Sequence, residues 1–162
     1  MSGAFLILAS ATALSAPGSP LERGTVSLVL ANRLASAAIA ACTRIGREAA
    51  VAVVDRGGNL VALQRGDDVG PHNTVAAQRK AFTALSTKSS TTALAARAAS
   101  DPTSRNLTTM AELLLVGGGQ PITAGGSVIG GIGVAGAGGS ANDDRCALEA
   151  IADVFPPAVP GR

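Results

Sequence analysis

A chain of 162 residues with 47% hydrophobic content has the length and apolar surface for one domain with its own core, which argues against two. Thirteen Lys and Arg against eleven Asp and Glu leave a net charge of +2, scattered rather than in runs, and Phe5, Phe82 and Phe155 are the only aromatics. These build neither a basic face that tracks phosphates nor a platform for stacked bases, so nucleic acid is not an expected partner.

The first element is an uncharged apolar run from Ala4 to Ala16, followed by Pro17, Gly18, Ser19 and Pro20. Residues 1–20 read as a signal or leader segment with a linker, and Ala11 and Ala13 offer a cleavage site, although no basic residue precedes the run. This predicts a periplasmic or secreted protein; a frayed or buried terminus in a cytoplasmic one is the alternative. The run is too short to cross a bilayer, and later apolar stretches are broken by glycine, so no membrane span is expected.

From Gly24 to Ile45, apolar residues such as Val26, Leu30, Leu34, Ala38, Ala41 and Ile45 recur at three- and four-residue spacing and predict one amphipathic helix ending at Gly46. Ala49 to Val54 and Leu60 to Gln64 flank Asp55-Arg56-Gly57-Gly58-Asn59 and predict a hairpin with both strands largely buried. After a polar loop at Gly66 to Pro71, Asn73 or Thr74 can cap a helix running to Thr87, which puts His72 at a helix N-terminus. A further helix over Thr91 to Ser100 stops ahead of Asp101-Pro102. Leu113 to Val116 is short and apolar and reads as a strand.

Eleven of the twenty glycines lie between Gly117 and Gly139, interleaved with Ile122, Val128, Ile129, Ile132 and Val134. The pattern predicts two strands whose backbones are approached closely by a ligand or another subunit. Ala141 to Val154 closes the domain as a helix opened by Asn142, Asp143 and Asp144, and residues 156–162 form a Pro-rich tail. Consecutive strands with helices grouped between them give an α+β class: an antiparallel sheet of about five strands with helices packed on its faces, over residues 21–155.

Chemistry-bearing motifs are few. Gly131-Ile132-Gly133-Val134-Ala135-Gly136 fits the dinucleotide-binding string, but it reads as a strand, opens no helix and is followed by the Pro-rich tail where a ribose-binding acid belongs. One histidine and two distant cysteines cannot make a zinc site of a common kind, and no Gly-x-Ser-x-Gly elbow is present. Cys42 and Cys146 are either a disulfide, in an oxidising compartment, or two small buried hydrophobes.

The segments Val53-Val54-Asp55-Arg56-Gly57-Gly58-Asn59-Leu60, Arg79-Lys80-Ala81-Phe82-Thr83-Ala84, Gly117-Gly118-Gly119-Gln120-Pro121-Ile122 and Val128 to Gly136, with Asp143-Asp144 after them, together resemble the GlcG/HbpS family of small haem-binding proteins. The same fold occurs as the C-terminal domain of PduO-type proteins, and the likeness covers about residues 24 to 154. It implies a profilin-like sheet, homo-oligomers (dimers or larger) and haem binding. The acidic D/E-x-x-E iron motif of HbpS-like members has no match, because Val75-Ala76-Ala77-Gln78 stands in its place.

His72 is the candidate ligand for haem iron: a neutral imidazole coordinates well, and the positive end of a helix dipole favours the neutral form. A capping or hydrogen-bonding role is the plainer reading of a lone loop histidine. Arg79 and Lys80, with Thr83 on the same helix, are candidates for an anionic group such as a propionate, against a merely solvated helix face. Gly118, Gly119 and Pro121 shape a turn that a flat ligand or a second subunit could approach, or only a turn. Asp143 and Asp144 are most simply helix N-terminal acids, with a general base or pairing across a subunit boundary as the alternative. Two functions follow: an oligomeric binder of haem or a related planar or anionic small molecule, or a small lyase, isomerase or hydratase acting on a carboxylated metabolite, with Arg79 and Lys80 holding the carboxylate and His72 or Asp144 moving a proton.

Overall fold

Residues 21–156, together with Gly18, are described by the structure, a computed structural model. The proposed leader at 1–20, apart from Gly18, and the tail at 156–162, apart from its first residue, lie outside the described residues. The elements are α1 (Leu28–Arg44), β1 (Ala50–Asp55), β2 (Leu60–Arg65), α2 (His72–Thr87), α3 (Thr91–Ser100), a 3₁₀ turn (Arg105–Thr109), β3 (Gly119–Ala124), β4 (Ser127–Ala135) and α4 (Ser140–Val154). The four strands form one antiparallel sheet in the order β2-β1-β4-β3.

The sheet is the middle of three layers, and strand alternation sorts its side chains. Val51 and Val53 of β1, opposite Val134 and Ile132 of β4, join Leu34, Ala38 and Ala147 in the core under α1 and α4. Cys42 and Cys146 are bonded as a disulfide that ties α1 to α4, with their Cα atoms 5.3 Å apart. On the other face Ala50 and Ala52 meet Ala77 of α2.

Here the glycine-rich strand finds its reason. A Cβ at Gly133 would run into the Ala77 carbonyl, one at Gly131 into that of Ala81, and one at Gly119 into that of Lys80. The partner that comes so close is therefore α2 of the same chain, and not the ligand or second subunit expected. Helix backbone rests directly on sheet backbone, and the small residues Ala77, Ala81 and Ala84 on the buried face of α2 permit the approach.

Other expectations change as well. The sheet has four strands because Leu113 to Val116 is not a strand: Leu113 O accepts from Arg79 Nη2 at 2.7 Å, and Leu114 N donates to Thr83 Oγ1 at 2.8 Å. Side chains of α2 thus satisfy backbone groups that a ladder would otherwise have to satisfy. β2 is an edge strand rather than a buried one, and Leu60 and Leu63 are 42% and 43% exposed. α1 begins at Leu28 instead of Gly24, since Ser27 caps it by accepting from Leu30 N at 3.2 Å and Val26 bonds to Ile129 O of the sheet. α2 begins at His72 with Pro71 before it and no side-chain cap from Asn73 or Thr74.

Candidate functional site

The N-terminus of α2, the Leu113–Gly117 segment and the turn between β4 and α4 enclose a cleft of about 410 Å³. His72, Ala76 and Lys80 line it from α2, Leu114 and Val116 from the facing segment, and Asp143 from α4. Gly136, Gly138 and Gly139 form the remaining wall, all at positive φ, so the chain turns into α4 without placing a side chain in the space. His72 is exposed at the mouth, and the Nδ1–Cε1 edge of its ring lies over Gly70.

Lys80 sits at the inner end. Its ammonium donates to Asp143 Oδ2 at 2.7 Å and to the Val134 carbonyl at 2.9 Å, and the two side chains are 4% and 5% exposed. The other Asp143 oxygen accepts from Ala137 N at 2.9 Å, which fixes the turn ahead of α4. Two of three ammonium hydrogens are thereby used, and one is left. A charge in the middle of α2 is thus an internal ion pair and not a solvated face.

Asp144 faces the other way. One oxygen accepts from Gly118 N at 2.7 Å and from Gln120 Nε2 at 3.1 Å, and the other from the Thr92 hydroxyl. It braces the Gly117–Gln120 turn against α3 and α4. Gly118, at φ 113°, packs behind the Lys80–Asp143 pair, and Gly119 N donates to Thr91 Oγ1 at 2.9 Å. Pro121 stands in edge strand β3 opposite Gly131.

Arg79, one residue before Lys80, points into a separate cleft of about 390 Å³ with Val75, Gln78, Phe82, Gly58 and Glu112. Its Nε is buried without a hydrogen-bond partner. Thr83 is buried, donating to Arg79 O at 2.7 Å while holding Leu114 N. Of the residues singled out in the sequence, the structure brings His72 and Lys80 to one cleft and sends Arg79 to another. Arg79 and Lys80 therefore do not converge on one carboxylate, as the metabolite-enzyme reading requires. Leu114, Val116 and Ser140 of the cleft were not singled out as site residues, and Asp143, noted in the sequence as a helix N-terminal acid, turns out to pair with Lys80. Among the described residues no group of three or more His, Cys, Asp or Glu is placed to hold a metal ion, and no helix is long and apolar enough to cross a membrane.

Residues 26–152 match the family described as haem degrading protein HbpS-like. A Citrobacter freundii protein of 15.0 kDa from the dhaT-dhaS intergenic region is 32% identical over 133 residues, covering 81% of this chain and 92% of that one. The crystal structure of a doubly substituted Streptomyces reticuli HbpS is 39% identical with a TM-score of 0.78, covering 90% of this chain and 97% of that one. A crystal structure of a PduOC:haem complex is 26% identical with a TM-score of 0.67, over 75% of this chain and 88% of that one. With its match spanning the whole sheet and the cleft between α2 and α4, the chain belongs to the HbpS-like family.

Proposed function

We propose that the chain binds haem, or a related planar tetrapyrrole, in the cleft at the N-terminus of α2, with the His72 imidazole as the iron ligand. The observation that carries this is the position of the single histidine at the mouth of a cleft walled by Ala76, Leu114, Val116 and side-chain-free glycines. These residues fit the group: a nitrogen donor, apolar walls for the macrocycle, and the remaining Lys80 hydrogen at the inner end for a propionate. The haem in the related PduOC complex supports the reading. Iron held by a carboxylate pair on α2 is not part of it, because Val75 and Gln78 carry no charge.

The protein is further proposed to act as an exported homo-oligomer. Support for export is the Cys42–Cys146 disulfide, a bond that persists in oxidising compartments. Support for assembly is the exposed apolar side chains Leu60 and Leu63 on edge strand β2 and Val75 on α2.

Hemin titration of the purified protein is expected to give a saturable Soret band, and His72→Ala is expected to shift its position. A titration with no Soret change would overturn haem binding. An unchanged band in His72→Ala would remove His72 as the ligand.

A further inference from the structure

At the far end of the sheet from His72, where β4 begins, a polar cleft of about 370 Å³ is lined by Arg23, Arg56, Lys88, Gly126, Ser127 and Val128. The three cations come from separate segments: the irregular stretch leading to α1, the β1–β2 turn and the end of α2. No acidic side chain lines the cleft, and none of the three cations is in an ion pair among the described residues. The neighbouring Asp55 is committed elsewhere, its carboxylate accepting from Gly57 N at 2.8 Å and Asn59 N at 2.9 Å within its own turn.

Three like charges gathered around one cleft repel one another unless an anion neutralises them. Two features argue that this gathering is built. Arg56 is anchored, with Nη1 donating to Val128 O at 2.8 Å and its backbone N to Thr25 Oγ1 at 3.2 Å, so its guanidinium is held at the rim instead of swinging in solvent. Lys88 is the only non-glycine residue at positive φ among those described, at 52°, on the helix-ending position where glycine is the usual occupant. A side chain there strains the backbone, and the dipole of α2 accounts for one cation at its C-terminus but not for Arg23 and Arg56 beside it. The Gly125–Gly126 turn, both residues at positive φ, and the Ser127 hydroxyl add uncharged donors at the same rim.

We infer that this cleft binds a phosphate group, through Arg23, Arg56 and Lys88 with donors from the β3–β4 turn. It is separated from the His72 cleft by the length of β4, so the two sites stand or fall apart.

Titration of isotope-labelled protein with inorganic phosphate is expected to move the amide signals of Lys88, Gly126 and Ser127 saturably while those of Ala135 and Gly136 stay in place. Lys88→Gly removes a charge but relaxes the backbone, so it is expected to weaken phosphate binding about five- to tenfold while raising the melting temperature. Arg23→Ala is expected to weaken binding comparably with the melting temperature unchanged. A purely structural role for these cations leaves affinity untouched. Binding of glycerol phosphate without retention on phosphatidylglycerol vesicles identifies a soluble phosphate ester, and retention on those vesicles but not on phosphatidylcholine identifies a lipid headgroup. Either result supports a phosphate site. No saturable response to any of the three probes, or equal affinity in the parent, Lys88→Gly and Arg23→Ala proteins, overturns it.

Discussion

The Lys80 ammonium meets the Asp143 carboxylate at 2.7 Å between α2 and α4, at the inner end of the cleft whose mouth carries the only histidine of the sequence. Taking both charges out of water is costly, and their mutual attraction together with the bonds to Val134 O and Ala137 N offsets that cost. Losing one partner leaves the other charge buried alone. Asp143→Asn is therefore expected to destabilise the fold by about 3–5 kcal/mol, read from urea denaturation midpoints. Lys80→Met combined with Asp143→Asn is expected to recover part of the loss, because no bare charge remains inside; a double variant worse than the sum of the singles would contradict the coupling.

The contact between α2 and β4 makes a second prediction. Gly133→Ala puts a methyl group against the Ala77 carbonyl, which cannot move without the helix, and is expected to cost at least about 2 kcal/mol. Gly125→Ala faces open space and meets only the backbone cost of a positive φ, about 1 kcal/mol. Thermal denaturation of both variants checks the order; equal losses would mean that α2 does not rest on the strand as described.

The Cys42–Cys146 bond spans 104 residues of sequence and restricts the unfolded chain accordingly. Reduction, or the double substitution to alanine, is expected to lower stability by about 4–5 kcal/mol on the chain-entropy estimate. Denaturant titrations with and without reductant measure it. A protein indifferent to reductant would show that the bridge does not form in solution.

Acid should weaken the fold in a defined direction. In Asp55, burial pushes the pKa up, but the bonds from the Asn59 side chain and from the backbone of Asn59, Gly57 and Gly58 outweigh it and hold the carboxyl below its ordinary value. Asp101 is lowered by Thr103 and Ser104, and Glu149 by Arg145 and Arg44. Each group has a lower pKa folded than unfolded, so its contribution is complete above the unfolded value and is lost as pH falls through the folded one. Denaturation midpoints are expected to decline from about pH 5 down to about pH 2, and Asp55→Asn to flatten part of that decline.

Much of this was readable from residue order. Apolar spacing marked the helices, and α3 runs over Thr91–Ser100 as expected; the hairpin turn was announced by Asp55-Arg56-Gly57-Gly58-Asn59, and His72 opens α2. What escaped depends on pairs far apart in sequence. Leu113 to Val116 has the composition of a strand, yet Arg79 and Thr83, some thirty residues earlier, take up its backbone groups. Lys80 looks like any helix-surface cation until Asp143, 63 residues later, is brought beside it. The glycines of β4 signalled a close approach correctly but not its source, since a helix of alanines and a planar ligand demand the same absence of side chains.

Where α2 lies on β4, main chain touches main chain, and no rotamer can swing aside to create room. Helix and strand must then shift as one slab, carrying His72 and Lys80 together. The opposite bank, Leu113–Gly117, is fastened to that same helix through Arg79 and Thr83, so room for a bulky guest depends on loosening those two tethers.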